Sequence, residues 1–192
     1  MLKRTSKARN IITNGNFADG TTGWVGFGSA NLSALNNVLT SIGTGTAVSV
    51  TAGASYGPGS VAIYHNRKLY ARAKIKVLNA NATRVQLQFS CSETAFGIFI
   101  VLTPLINTVY TLSSIANVLN TYTGSLLFEV YHRYIDVGTA LGKVGEIQEA
   151  IVIDLTTLFG AGNEPTAEWC DANFPNWFDG CLSKTSMSQM LK

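Results

Sequence analysis

The amino-acid sequence predicts an all-β fold, a jelly-roll-like antiparallel β-sandwich with one short helix near the C-terminus. Apolar and polar residues alternate in several short runs, and clusters of Gly, Ser, Thr and Asn separate those runs. Charged residues make up only 13% of the 192 residues, which is typical of short strands joined by tight turns. A chain of this length can bury a core as a single domain.

The clearest strand covers residues 69–77, where the odd-numbered residues are apolar and the even-numbered ones are Tyr70, Arg72, Lys74 and Lys76. This alternation predicts a half-buried strand with a cationic outer face. Residues 79–81 predict a turn, after which residues 84–89 return with Gln86 and Gln88 directed outward. We expect the two strands to pair as a hairpin.

Further strands are predicted at residues 48–50, 98–102, 110–112 and 126–134, with one helical turn at 114–118. His132 falls in one of these strands, and we expect it on the surface or on an edge strand. Glu149 interrupts the alternation of Ile147 and Ile151, because it would share their face. A carboxylate there needs a basic partner such as Lys143 or Arg133, or a strand irregularity that turns it outward, and we favour the irregularity.

The segment at 154–180, DLTTLFGAGNEPTAEWCDANFPNWFDG, combines a strand end, a glycine turn and a short helix. Thr166 can cap that helix and Glu168 favours its positive end, so the helix is expected to run to about Asn173, before Pro175. The segment resembles the repeated C-terminal end of a module found in tail, tail-fibre and minor structural proteins of phages and prophages of Gram-positive bacteria.

Two further stretches carry this resemblance. HNRKLYARAKIKVLNANATRVQLQF, at 65–89, is similar to the middle strands of the module, and NIITNGNFADGTTGW, at 10–24, resembles the start of many sandwich-type carbohydrate-binding modules. The GAGNEPT run is specific to the phage module, whereas the NGNF opening is shared more widely. The resemblance covers most of residues 10–180 and implies a virion protein with a jelly-roll-like sandwich, and not a particular ligand.

We divide the chain into a basic N-terminal arm at 1–10, a sandwich domain at 11–180 and a C-terminal tail at 181–192. The net charge of +3 comes largely from the arm, which contains Lys3, Arg4, Lys7 and Arg9. Four charges without interleaved aromatic residues predict only weak, salt-sensitive binding to nucleic acid. We therefore expect the arm to attach to a neighbouring virion subunit.

Catalysis is not expected, because the chain has two histidines and no nucleophile, phosphate-loop or zinc motif. A glycosidase needs two carboxylates across a groove, for which the strand-rich half offers Glu129, Asp136, Glu146 and Glu149. The three cysteines lack metal spacing and predict reduced thiols, with Cys170 buried on the short helix. No cofactor is expected apart from the calcium ion discussed below.

Stacking of sugar rings on exposed aromatic side chains is the main alternative function. The aromatic candidates are Trp24, Phe27, Tyr56, Tyr64 and Tyr70. Tyr56 and Tyr64 are favoured because they lie near the loop at 57–59, and Tyr70 because it points away from the apolar face of its strand. Trp24 is expected instead to plug an edge of the sandwich.

A structural calcium ion is the second ligand that the resemblance suggests, since many sandwich carbohydrate-binding modules hold one where the first and last strands meet. The matching residues here are Asp19 and Asp154, whose carboxylates are hard oxygen ligands. Ala18 stands where related openings often carry an acid. Without calcium, we expect Asp19 to form a turn and Asp154 to bond to the backbone of the glycine loop.

The leading interpretation is a non-enzymatic phage virion protein, an accessory, decoration or tail-associated subunit that forms a homo-oligomer and contacts other virion proteins. The alternative is a receptor-recognition module for host cell-wall carbohydrate. The longest apolar run, at 97–106, is about half the length of a membrane helix, and the N-terminus lacks the apolar run of a signal peptide. We therefore expect no membrane partner, and a virion protein assembled in the host cytoplasm.

Overall fold

The computed structural model describes residues 8–28, 30–44, 50–92, 94–135, 140–174 and 181–182. The strands within them are β1 (Ala8–Arg9), β2 (Trp24–Phe27), β3 (Ala30–Leu35), β4 (Val38–Gly43), β5 (Thr51–Ser60), β6 (Arg67–Val77), β7 (Arg84–Cys91), β8 (Thr94–Leu102), β9 (Val109–Val118), β10 (Ser125–Arg133), β11 (Val144–Asp154) and β12 (Cys181–Leu182). The α-helices are α1 (Leu155–Phe159) and α2 (Ala167–Asn173), and Val61–Tyr64 forms a 3-10 turn.

Two antiparallel sheets of five strands make up the sandwich, which confirms the predicted all-β fold. The first sheet has the order β2-β5-β10-β7-β8, and the second has the order β3-β4-β11-β6-β9. The short strands β1 and β12 pair separately, and Asn10 bridges to Ile153 of β11. Sequence neighbours therefore often lie in different sheets, as in a jelly roll.

The main core lies between the two sheets. The odd-numbered residues from Leu69 to Val77 of β6 face it and are buried, as the alternation predicts, and Val85, Leu87 and Phe89 of β7 face them from the first sheet. Trp24 is 5% exposed and belongs to this core, with its ring centroid 5.2 Å from that of Phe17. Burial of so many apolar side chains is the main force that holds the sheets together.

The predicted hairpin between residues 69–77 and 84–89 is wrong. Strand β6 pairs with β9 and β11 in the second sheet, whereas β7 pairs with β8 and β10 in the first. Alternation specifies which face of each strand is buried but not its partner, so the turn at 78–83 carries the chain across the sandwich. The helical turn expected at 114–118 is also wrong, because these residues pair with β6 as part of β9. Residue 48 lies outside the described residues, and β5 begins at Thr51.

A β-bulge at Glu149 confirms the predicted irregularity. Its φ is 52°, and the register between β11 and β6 shifts between Gln148 and Ile151. Ile147 faces the main core, whereas Ile151 faces the opposite side of the sheet. The Glu149 carboxylate pairs with Lys74 at 2.5 Å, and not with either of the basic partners considered above.

A smaller apolar cluster lies on the outer face of the second sheet, beneath the helices. It contains Tyr70, Ile151, Ile153, Leu155, Cys170 and Phe174. Helix α2 begins and ends as predicted, and its cap Thr166 accepts a hydrogen bond from the Trp169 backbone nitrogen at 3.3 Å. Cys170 is fully buried, as expected. Pro175 lies outside the described residues, and the additional helix α1 directly follows β11.

His132 is buried in the central strand of the first sheet, so the expectation of a surface or edge position is wrong. Its side chain faces the interior, where its Nε2 lies 3.4 Å from Ser41 Oγ. A Cβ at residue 145 would come within 2.5 Å of the imidazole, so Gly145 leaves the space that the ring occupies. Burial lowers the pKa of His132 to about 4.

Candidate functional site

The outer face of the first sheet carries polar side chains at its centre, and we call it the polar face. The central strand β10 directs Phe128, Val130 and His132 into the core, so Glu129 and Tyr131 point to the other side. Three transverse rows cross the sheet through these outward positions. The rows are Val25, Ser55, Glu129 and Gln88; then Phe27, Gly53, Tyr131, Gln86 and Ile100; then Thr51, Arg133, Arg84 and Leu102.

A hydrogen-bond network joins the middle of the polar face. Gln86 donates to Gln88 Oε1 at 2.5 Å, and Gln88 donates to Glu129 Oε2 at 2.5 Å. The other carboxylate oxygen accepts from Ser90 Oγ at 2.9 Å, and the Tyr131 hydroxyl lies 3.3 Å from Gln88 Oε1. Because each side chain is fixed by its neighbours, and Arg84 hydrogen-bonds to Tyr131, the network holds its polar groups in place.

The network is shielded from water, and this desolvation raises the pKa values of its side chains Glu129 and Tyr131. Glu129 is 3% exposed, and desolvation raises the pKa of its carboxyl even though the bonds from Gln88 and Ser90 oppose the rise. Desolvation likewise raises the pKa of Tyr131, while the nearby Arg84 lowers it by a smaller amount. Tyr131 is therefore a neutral phenol at neutral pH and can donate a hydrogen bond.

An aromatic pair lies beside the network. The rings of Phe27 and Tyr131 have centroids 4.8 Å apart and meet across the strand that contains Gly53. A Cβ at residue 53 would lie 2.3 Å from the Tyr131 Cβ, so glycine is required for this approach. Phe27 is only partly buried and presents part of its ring at the margin of the face.

Some hydrogen-bonding capacity on the polar face is unused. Ser55 Oγ, Gln86 Oε1 and Arg84 Nε are shielded from solvent and have no hydrogen-bond partner among the described residues. Such atoms are rare in folded proteins because leaving one unsatisfied costs about 1–3 kcal/mol. These three lie on a face that also offers fixed donors and acceptors, and the partly exposed side chains around them could contact a polar ligand.

The edge strands add apolar side chains on both sides of the polar rows. Val25 of β2 is 63% exposed, and Ile98, Ile100 and Leu102 of β8 are 46%, 39% and 69% exposed. The polar face therefore has a polar centre and apolar margins. Partly exposed Phe27, Ser90, Arg84 and Arg133 lie between them and are the groups that a ligand could reach.

The tyrosines predicted to bind sugars are not part of this face, and their burial corrects the expectation that they present open rings. Tyr56 and Tyr64 are each 9% exposed and belong to the main core. Tyr70 is fully buried beneath α2 and donates to Asp171 Oδ1 at 2.7 Å. Its outward position on β6 was predicted correctly, but the helix that covers it comes from a distant part of the sequence.

The predicted calcium ligands Asp19 and Asp154 each have other roles in the structure. Asp154 caps α1 by accepting from the Thr157 backbone nitrogen at 2.8 Å, and its other oxygen pairs with Arg67 at 2.6 Å. Asp19 is exposed in a turn, where its carbonyl oxygen accepts hydrogen bonds from Thr22 and Asn14. The described residues contain no cluster of three or more His, Cys, Asp or Glu. With Arg67 on Asp154, this pair does not fit calcium.

Most of the predicted attachment arm, including Lys3, Arg4 and Lys7, lies outside the described residues. Arg9 lies in β1 and pairs with Cys181 of β12. Asn10 is 3% exposed, and its Oδ1 accepts hydrogen bonds from the backbone nitrogens of Ile12 and Val152. Residues 8–10 are therefore joined to the sandwich.

The described carboxylates considered for glycosidase chemistry lie on opposite sides of the molecule. Glu129 belongs to the polar face of the first sheet. Glu146 and Glu149 lie on the outer face of the second sheet, where they pair with Lys76 and Lys74 at 2.5 Å each. Asp136 lies outside the described residues. The described acids therefore do not form the facing pair that glycoside hydrolysis requires.

Sequence reasoning named Phe27 among the aromatic candidates but missed the polar network. Gln86 and Gln88 were placed outward correctly, and the alternation of β10 places Glu129 and Tyr131 outward in the same way. No local signal shows that β7 and β10 are neighbours, because they are separated by β8 and β9 in the chain. A run of amides and hydroxyls at outward positions was the only available hint.

The chain is similar in fold to solved structures, although no protein-family model and no curated protein matches its sequence. Among solved structures, a CBM4 module is 11% identical, with a TM-score of 0.52 and coverage of 74% of this chain and 99% of that one. A Family 16 Carbohydrate Binding Module-2 is 15% identical, with a TM-score of 0.52 and coverage of 76% and 100%.

The fold is also found in an enzyme. The Stig cyclase Fisc from Fischerella sp. TAU, in complex with a substituted indole, is 12% identical, with a TM-score of 0.52 and coverage of 77% of this chain and 98% of that one. No described helix is long and apolar enough to cross a membrane. At such low identities the matches establish the fold and leave the activity to the residues. The chain thus has the β-sandwich fold of carbohydrate-binding modules, with a polar face on its first sheet.

Proposed function

We propose that this chain is a non-catalytic glycan-binding module and that its polar face contacts the glycan. The observation that carries the proposal is the set of partly exposed groups, Phe27, Ser90, Arg84 and Arg133, around a fixed hydrogen-bond network. Sugar hydroxyls both donate and accept, so they match a surface of amides, hydroxyls and a guanidinium. Phe27 supplies a partly exposed ring against which a sugar can stack.

The carbohydrate-binding modules among the structural neighbours support this proposal over a purely structural role. The resemblance of residues 154–166 to phage structural proteins adds a biological setting. In that setting the module belongs to a phage particle assembled in the host cytoplasm, and its ligand is a carbohydrate of the host cell surface.

A glycan array followed by isothermal titration calorimetry tests the proposal. We expect Phe27→Ala and Ser90→Ala to weaken binding at least tenfold, because the first removes the stacking ring and the second a partly exposed hydroxyl of the network. Gln148→Ala is the matched control, since Gln148 lies on the outer face of the second sheet. Circular dichroism must show that all variants fold. Unchanged affinity in folded polar-face variants contradicts the proposal.

A second candidate function is a subunit contact in the virion, in a homo-oligomer or with other virion proteins. The exposed apolar strip Ile98, Ile100 and Leu102 on edge strand β8 favours it, because neighbouring apolar residues on a sheet edge are a common basis for association. Replacing Ile100 and Leu102 by serine should then abolish self-association in sedimentation velocity, or incorporation into particles. This contact is excluded if the wild-type protein is a monomer and the double variant enters particles as well as the wild type does.

A further inference from the structure

We propose that the glycan is acidic and that Arg84 and Arg133 together bind its anionic group. This inference rests on the proposed function and names the chemical class of ligand for the same face. The two arginines belong to the third transverse row of the polar face, and they lie directly opposite each other on β7 and β10. The expected ligand group is an oxyanion attached to a sugar, either a carboxylate or a phosphate.

The two arginines carry positive charges that no neighbouring acid balances among the described residues. Side chains directly opposite each other on antiparallel strands have Cβ atoms about 5 Å apart, and like charges at such positions are destabilising. Among the described residues neither arginine forms an ion pair, and the ion pairs involve Arg67, Lys68, Lys74 and Lys76. An anion between Arg84 and Arg133 would remove this repulsion.

The nearby acid, Glu129, does not neutralise the two arginines. Glu129 is the described carboxylate on the same face, and both of its oxygens are taken by Gln88 and Ser90. Desolvation raises the pKa of Glu129, which makes it a poor counter-ion. The arginines therefore have no internal anion that would compete with a ligand among the described residues.

The surface beside the two arginines has room for an anionic group. A cavity of about 360 Å³ adjoins the pair and is lined by Thr83, Arg84, Leu102, Arg133, Tyr134 and Ile135. Arg84 and Arg133 are both partly exposed, so a carboxylate or phosphate in this cavity could contact their guanidinium groups in the bidentate manner that such groups favour. Gln86 lies two residues along β7, about 7 Å away. One glycan could therefore contact both the network and the arginines.

The test compares the full chain with two matched glycans in calorimetry. These are oligogalacturonate and its methyl ester, which has the same backbone without the charge. We expect the acid to bind at least tenfold more tightly than the ester. Arg84→Gln and Arg133→Gln should each remove this preference, whereas Lys76→Gln, which loses the same charge on the other sheet, should keep it. A third probe, poly(glycerol phosphate), distinguishes phosphate from carboxylate as the preferred oxyanion.

The outcomes separate this inference from the proposed function. Loss of the preference for either anionic probe in the arginine variants alone supports the inference. Equal binding of acid and ester by the wild type, together with no binding of the phosphate probe, overturns it while a neutral glycan can still support the proposed function. Absence of binding to every glycan overturns both.

Stability measurements complete the test. Because the arginines repel each other, Arg133→Gln should leave the thermal midpoint unchanged or raise it; Arg84 is less suited to this measurement because it also hydrogen-bonds to Tyr131. A lower midpoint would indicate a structural role and count against the inference. If the glutamine variants do not fold, Arg84→Lys and Arg133→Lys keep the charge but lose the bidentate geometry. The preference for the acid should then fall at least threefold, and full retention would contradict the assignment.

Discussion

At the scale of single residues, buried polar groups distinguish this sandwich from a simple apolar core. His132 illustrates the point, because it fills space left by Gly145 and has one nitrogen, Nδ1, without a hydrogen-bond partner among the described residues. Its described neighbours, Ser41 and Tyr134, are uncharged at neutral pH. Protonation of this imidazole would place an unpaired charge inside the protein, which is costly.

The buried imidazole predicts a pH-dependent stability. Its pKa is about 4 in the folded state, against 6.5 for an unperturbed histidine, so the unfolded chain binds the proton first as the pH falls. The contribution is fully present above pH 6.5 and is lost between pH 6.5 and 4, by about 3 kcal/mol. Urea unfolding across this range should show the loss.

A histidine variant isolates this effect from other titrating groups. The raised pKa of Glu129 acts in the opposite direction, because its folded form binds protons more tightly and loses stability as the pH rises. The difference between the wild type and His132→Gln removes that contribution. His65→Gln is the control, since partly exposed His65 bonds to the Tyr122 carbonyl at 2.9 Å. Equal pH slopes in the wild type and His132→Gln would refute the prediction.

Gly53 provides a second test at this scale. Gly53→Ala should lower the free energy of unfolding by about 1–3 kcal/mol, because the added methyl group would lie 2.3 Å from Tyr131 Cβ. Gly57→Ala, on the same strand, should change it much less, since the nearest atom there is 3.5 Å away. Thermal and urea unfolding of both variants measure the difference. Similar losses for the two would show that close packing at residue 53 is not the cause.

At the scale of elements, the bulge in β11 decides what each part of that strand faces. It directs Ile147 into the main core and Ile151 and Ile153 into the cluster beneath the helices. A continuous strand would place all three on one face. One extra residue therefore lets a single strand contribute to two apolar clusters.

The positive φ at Glu149 predicts an unusual order of substitutions. Glu149→Gly should be at least about 1 kcal/mol more stable than Glu149→Val, because a β-branched residue is strained at a φ of 52°. At Glu146, a regular position of the same strand, we expect the opposite order, since valine favours extended strands. Urea unfolding of the four variants gives both comparisons. The same order at both positions would contradict the bulge.

At the scale of the whole molecule, Asn10 joins the N-terminal segment of the sandwich to β11, its last long strand. Its side-chain oxygen accepts hydrogen bonds from the backbone nitrogens of Ile12 and of Val152 in β11, and Val152 is 142 residues away from Asn10 in the sequence. Such long-range closure is the normal condition of a sandwich whose consecutive strands alternate between sheets.

Asn10→Ala should therefore destabilise the whole domain. We expect a loss of about 1–3 kcal/mol, because two buried backbone donors would remain unsatisfied. Asn16→Ala is the control, since the Asn16 side-chain oxygen accepts a hydrogen bond from the Ala18 nitrogen at 3.2 Å across an exposed turn. Its cost should stay near 0.5 kcal/mol, as for other surface substitutions. A single cooperative transition by two spectroscopic probes would show that Asn10 acts on the domain and not on a local segment.

Much of the fold follows from local patterns. The alternation of residues 69–77, the cap at Thr166 and the irregularity at Glu149 depend on neighbours within a few residues, and all three agree with the structure. The hairpin between residues 69–77 and 84–89 failed because alternation does not encode the partner strand. The candidate site failed for the same reason, since its rows are assembled from β5, β7 and β10.

An all-β sandwich with a short helix after its last long strand could be predicted from the sequence alone, because periodicity, turns and caps are properties of adjacent residues. Three features required the folded structure, in which α2 covers Tyr70, His132 is buried, and Gln88 and Glu129 share one network. Burial and pairing between sheets depend on contacts between distant segments, and the polar face exists only where those segments meet.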